Sequence, residues 1–193
     1  MSATIWNEEV YTGLKNEVMK YVKKRTSTGV VNLNDKEVLI RKPEEEFKPE
    51  SYPCVSLYIT NQDHNKVRYN KDPKMVSLDK ENSVAVMQDS PVPFDMTVNI
   101  DFWSKSQTDM DLMTKDWLSR HFRQFNLPVM DSGGNERTCN CLRKGGIVKA
   151  DLVKNAQRLY HSIISYTIWV EIDEEVRYNA NVATKINIEV SQK

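Results

Sequence analysis

The sequence predicts an α+β fold: an antiparallel or mixed β-sheet with two main helices packed on one face, joined by long loops. Two segments, 5–25 and 106–125, carry apolar residues at helical spacing. Several others alternate apolar and polar residues over the length of a strand. The strands come in runs rather than one-for-one with helices, which favours a segregated sheet over a βαβ repeat.

Residues 5–25 read as a helix because Val10, Leu14, Val18 and Tyr21 fall on one side, while Glu17, Lys20, Lys23 and Lys24 face elsewhere. Lys23, Lys24 and Arg25 suit the negative end of the helix dipole, and Gly29 follows as a stop. Val30–Leu33 and Lys36–Arg41 read as extended, with a turn at Asn34-Asp35. The stretch RKPEEEFKPESYP, with three prolines and four glutamates, reads as an exposed connector. Cys54–Thr60 is a strand, with Val55, Leu57 and Ile59 on one face. Asn61–Pro73 reads as a polar loop or arm, and Val84–Met87 as a short strand.

Met96–Trp103 is the clearest strand. Met96, Val98, Ile100 and Phe102 share one face, and Asp95, Thr97, Asn99 and Asp101 the other, so one face is buried and one is wet or meets a partner. Ser104 then caps a helix over 106–125, whose stripe is Met110, Met113, Trp117, Phe122 and Phe125. Asp109 and Asp111 lie early in it and Arg120 and Arg123 late, and Pro128 ends it. The segment 128–147, with Gly133-Gly134 and Gly145-Gly146, is expected to be an extended loop or arm. Leu159–Ile172 and Ala180–Val190 read as strands, expected as antiparallel neighbours of the Met96 strand. The chain is read as a single domain over 1–193, with its N-terminal helix within 1–28.

At 193 residues, folding buries roughly 70% of the chain surface. A core is therefore possible without disulfides or metals. With 27 basic and 27 acidic side chains the formal net charge is +0, which argues against a generally basic nucleic-acid coat or a polyacidic tail. The apolar share is 39% and mean hydropathy is −0.60, a wet globular composition. No run approaches the ~18 apolar residues of a membrane helix. The start, MSATIWNEEV, shows no signal-peptide pattern. Three cysteines do not make a secreted disulfide framework, so synthesis in a reducing cytoplasm is expected.

Candidate chemistry is sparse. Cys139-Asn140-Cys141, with His64, His121 and His161 as co-ligands, would be a metal site, but zinc sites ordinarily show paired C-x2-C motifs. Two reduced thiols in a loop is the plainer reading. Nothing in the pattern brings His121 and His161 to one reacting atom. No phosphate-loop, dinucleotide, nucleophile-elbow or H-E-x-x-H motif is present. The expectation is therefore no catalytic residue, no cofactor and no metal. From Arg137 to Arg158 there are six basic residues (Arg137, Arg143, Lys144, Lys149, Lys154, Arg158) against one acid, Asp151. This stretch reads as a solvated edge, or else as a nucleic-acid-binding or regulatory surface. Its acidic counterparts are Glu44–Glu46 and Asp173–Glu175, and opposite patches on one neutral chain suit head-to-tail contacts between copies. Trp6, Trp103, Trp117 and Trp169 read mostly as core, with Trp169 also a candidate interface anchor.

Three segments taken together carry a resemblance. They are RKPEEEFKPESYPCVSLYITNQDHNKVRY, PFDMTVNIDFWSKSQTDMDLMTKDWLSRHF and RLYHSIISYTIWVEIDEE. In order and pattern they resemble the small virion proteins at the head–tail junction of tailed bacteriophages: tail terminators, tail-completion and neck proteins. The resemblance implies a non-enzymatic ring subunit, typically hexameric, that caps the tail tube and joins it to the neck. It implies as partners further copies of the chain, the tube protein, the sheath if the tail is contractile, neck or connector proteins, and DNA passing through the lumen, with no membrane. The place implied is the virion, after synthesis in the host bacterial cytoplasm. Tyr52, Tyr58, Trp103 and Trp169 are the expected packing residues near interfaces, and Arg137, Arg143 and Lys144 the expected loop contacts.

Overall fold

The computed structural model describes residues 5–41, 51–68, 72–79, 84–154, 157–172 and 177–181. In chain order these form α1 (Asn7–Tyr21), β1 (Lys23–Thr26), β2 (Gly29–Asn32), a 3₁₀ turn (Asp35–Glu37), β3 (Val38–Ile40), β4 (Cys54–His64), β5 (Lys74–Asp79), β6 (Val84–Gln88) and β7 (Val92–Ser104). Then come α2 (Gln107–Arg120), β8 (Gln124–Met130), β9 (Glu136–Arg143), β10 (Val148–Lys149), β11 (Leu152–Lys154), β12 (Gln157–Ile172) and β13 (Arg177–Asn181). The acidic groups at Glu44–Glu46 and Asp173–Glu175, and the expected strand beyond Asn181, lie outside the described residues.

The main sheet runs β3-β4-β7-β12-β9-β8, with β10 and β11 continuing the β9 side of β12. Among the described strands only β3–β4 is parallel. The sheet is thus mixed, and the fold is α+β. Its spine is β7 against β12, antiparallel in unbroken register from Tyr160↔Ser104 to Ile172↔Val92. Both helices pack on one face and share one core with it. α1 buries Val10, Leu14 and Val18 at i, i+4 and i+8; α2 buries Met110, Met113 and Trp117 at i, i+3 and i+7. From the sheet, Met96, Val98, Ile100 and Phe102 meet Ile164, Tyr166, Ile168 and Val170, all buried. Gly13 is required here: a Cβ would sit 2.8 Å from Val129 Cγ1 and 2.9 Å from the Pro128 carbonyl oxygen.

Several boundaries differ from the sequence expectation. α1 ends at Tyr21, and Lys23–Arg25 instead enter a hairpin, β1–β2, in which Gly29 takes φ 138°. α2 ends at Arg120, because the Tyr166 hydroxyl donates to the His121 carbonyl (2.5 Å) and the chain turns into β8. Phe122 is consequently exposed, while Phe125 is a buried strand residue.

The segment 128–147 is not a loop or arm. Its larger part is the β8–β9 hairpin, paired from Gln124↔Leu142 to Met130↔Glu136. Pro128 is tolerated because β8 is the sheet edge. Gly133-Gly134 form the turn, where Asp131 accepts hydrogen bonds from the backbone N–H groups of Gly133 and Asn135 (both 2.9 Å). The described part of the last expected strand, in β13, pairs with β6 rather than with β7. β13, β6 and β5 form a separate three-stranded sheet.

Candidate assembly interface

Among the described residues no helix lies on the face of the main sheet opposite α1 and α2, and four expected contact residues lie on or beside it. Strand parity places Ser56, Tyr58, Asp101, Trp103, His161 and Trp169 on this side. Two clusters organise it.

At one end the Trp103 and His161 rings stack 3.5 Å apart at 10°. The Trp103 indole N–H donates to Ser56 Oγ (3.1 Å). His161 Nε2 lies 3.6 Å from Asp101 Oδ2, and the Arg41 guanidinium 3.8 Å from the same oxygen. Arg41 also sits over the Tyr58 ring, 5.5 Å from its centre. Asp151 accepts from the His161 backbone N–H (3.3 Å) and pairs with Arg158 (2.8 Å), and both contacts hold its carboxyl below the ordinary range. Trp103 is buried, 6% exposed beneath His161. Tyr52 lies just ahead of β4 with Lys105 Nζ 5.4 Å from its ring, and burial raises its pKa.

At the other end Trp169 is 37% exposed, with Arg68 5.3 Å over its ring. Arg68 donates to Asp95 (2.8 Å) and to the Phe94 carbonyl (2.9 Å). Arg137 approaches Glu171 (4.0 Å) beside it. Arg68, Arg137, Asn140, Trp169 and Glu171 line a cavity of about 130 Å³. Arg137 and Trp169, far apart in sequence, thus belong to one site.

Arg143 and Lys144 lie at the far end of β9. Arg143 donates to the Phe122 carbonyl (3.2 Å) and covers the Phe122 ring at 5.3 Å. Lys144 is exposed, its backbone N–H bonded to Ser165 (2.8 Å). Phe122, Arg123, Leu142, Arg143 and Gly145 line an open cleft of about 420 Å³. The basic stretch is therefore not one patch: Arg137 and Arg158 face acids, while Arg143 and Lys144 border an apolar cleft.

The cysteines and histidines weighed as metal ligands do not meet. Cys139 and Cys141 are buried core residues of β9. His121 lies on the helix side, stacked on Trp117 and 3.3 Å from Glu17, while His161 lies on the other face. His64 packs against Phe94 at the end of β4. Among the described residues no group of three His, Cys, Asp or Glu side chains is placed to hold a metal ion. No helix among them is long and apolar enough to cross a membrane. Arg41, Arg68, Asp101, Phe122 and Leu142 escaped the sequence reading. Asp101 carried a signal, as the last acid on the polar face of the clearest strand.

No protein-family model matches the chain, and no curated protein matches it in sequence. Among solved structures the chain is similar to the sheath/tube terminator, in its extended state, of an extracellular contractile injection system. The likeness has TM-score 0.51 at 13% identity and covers 98% of this chain and 65% of that one. The chain thus aligns with less than two thirds of that protein's length, and what the two share is the fold.

Proposed function

We propose that this protein is a tail-terminator-like structural subunit, a non-enzymatic component that ends the tube or sheath of a contractile, phage-tail-like particle. The observation that carries this reading is the fold likeness to a sheath/tube terminator over 98% of the chain. The sheet face opposite the two helices supports it, because a wet face with anchored aromatics and paired charges is suited to protein contacts. In this reading copies of the chain form a closed ring, a hexamer. One side of the ring meets tube and sheath, the other meets neck or connector proteins, and the lumen passes DNA where the particle carries it. The finished particle, a virion or an injection device, is then its place of work.

The test is mass and shape of the purified protein, by light scattering and negative-stain imaging, alone and mixed with tail tubes. Rings, or binding confined to one tube end, are the expected outcome. A protein that stays monomeric and leaves tube ends bare overturns the reading.

A further inference from the structure

The junction of α2, β8 and β9 forms an open cleft lined by exposed apolar side chains. Phe122 and Leu142 are exposed there by 56% and 46%. Both are adjacent in the structure, because Gln124 pairs with Leu142. Arg123 and Arg143 flank them, none of the lining residues is acidic, and exposed Lys144 adjoins. Large apolar side chains with a cationic rim suit an acidic segment that carries one aromatic anchor.

The chain contains such a segment. Residues 43–50 read PEEEFKPE, with four glutamates, one lysine and Phe47 at the centre. We infer that the cleft binds the Glu44–Phe47 segment of a second copy, through Phe47 against Phe122 and Leu142 and through the glutamates against Arg123, Arg143 and Lys144.

Tyr52, the second described residue after the segment, lies toward the opposite end of α2 from the cleft. Phe47 is four residues from Ser51, at most about 14 Å of extended chain. Tyr52, beside Lys105, marks the start of α2, and Phe122 follows its end. The 14 residues of α2 separate those points by about 20 Å at ~1.5 Å per residue. Donor and acceptor are different patches of one molecule, so the contact is head-to-tail, the kind that closes rings. It supplies the ring of the proposed function with its contact, and rests on that reading only for closure.

The probe is a capped, fluorescein-labelled peptide of residues 42–51, titrated by anisotropy against the full chain. Saturable binding is expected. It should weaken about tenfold or more with R143E/K144E. It should weaken likewise with Phe47→Ala in the peptide, and as salt rises. Leu142→Asp, at an exposed position, serves should Arg143→Glu disturb the fold. In the whole protein, self-association lost in E44K/E45K/E46K and in R143E/K144E should return when both sets are combined. Absence of saturable peptide binding, or binding indifferent to these changes, overturns the inference. So does binding seen only once the chain's own glutamates are replaced, since the cleft would then hold its own segment. Peptide binding without tube capping keeps the contact and removes the terminator role; tube capping without peptide binding does the reverse.

Discussion

The two faces of the main sheet solve burial differently. On the helix side apolar residues of α1, α2 and six strands form one core, and the polar atoms of its largest rings are paired: the Trp117 indole N–H donates to Tyr166 Oη (3.0 Å), and that hydroxyl donates to the His121 carbonyl. On the bare side no described helix covers the sheet, and other side chains lie over the aromatics instead: the His161 ring over Trp103, the Arg41 guanidinium over Tyr58 and the Arg68 guanidinium over Trp169. That cover is incomplete. Asp101 Oδ1 and His161 Nε2 are buried without a hydrogen-bond partner among the described residues, and such atoms are costly. The helix face is built for stability. The bare face instead carries a half-exposed aromatic, Trp169, among paired charges.

The comparison breaks first at Trp117. Its side chain is fully buried, stacks on His121 at 4.0 Å and holds Tyr166. Trp117→Ala should cost about 3–5 kcal/mol. Urea titration of wild type and variant measures it, and a loss below about 1 kcal/mol would show that α2 is not the keystone of that core.

Gly13 is the next lever. An added methyl meets Val129 and the Pro128 backbone at under 3 Å, and backbone cannot swing aside. Gly13→Ala should therefore destabilise by about 1–3 kcal/mol. This holds although Ala is ordinarily the better helix former. A thermal melt that rises instead would mean that α1 slides freely on β8.

The architecture was legible where one face of a strand is buried and the other wet. β7 and β12 showed their parity because Met96–Phe102 and Ile164–Val170 alternate strictly. The β8–β9 hairpin hid behind its own punctuation: Pro128 and the glycine pair read as breaks, although Phe125, Leu127 and Val129 alternate toward the core. Cys139 and Cys141, expected as reduced thiols in a loop, fold instead as small apolar residues of a core strand. The clusters of the bare face depend on register between segments distant in sequence. Asp101 finds His161 only through the β7–β12 pairing, and Arg68 reaches Trp169 only because Asp95 holds it. Alternation fixes a face, not a neighbour across the sheet.

The thiols sharpen the comparison with a milder effect. Burial pushes Cys54 up to about 12 and Cys139 to about 11 from an ordinary value of 9.0, and Cys141 higher still. Folding therefore favours the neutral thiols. That contribution is complete below about pH 9, where unfolded thiols are protonated, and falls as pH rises toward 11–12. Cys139 and Cys141 face the helix side and Cys54 lies beside Trp103, so both faces are sampled. Native alkylation near pH 8 should be slow at all three and rapid after unfolding. Fast native labelling of Cys54 alone would show that the bare face opens.

The smallest expected effect on stability is at Trp169, and it separates the two faces most cleanly. The ring is 37% exposed and its main cover is the Arg68 guanidinium. Trp169→Ala removes a contact of about 0.5–1 kcal/mol and opens no closed cavity. Denaturation midpoints should barely move. If the bare face meets a partner, the same substitution should reduce ring formation or tube-end binding far more than it reduces stability, because aromatic anchors at interfaces carry a disproportionate share of binding free energy. Parallel measurement of folding and assembly on Trp169→Ala and Trp117→Ala decides it. Loss of assembly in proportion to stability in both variants would make the bare face an ordinary surface, whereas a folded, non-assembling Trp169→Ala chain would make it the contact face.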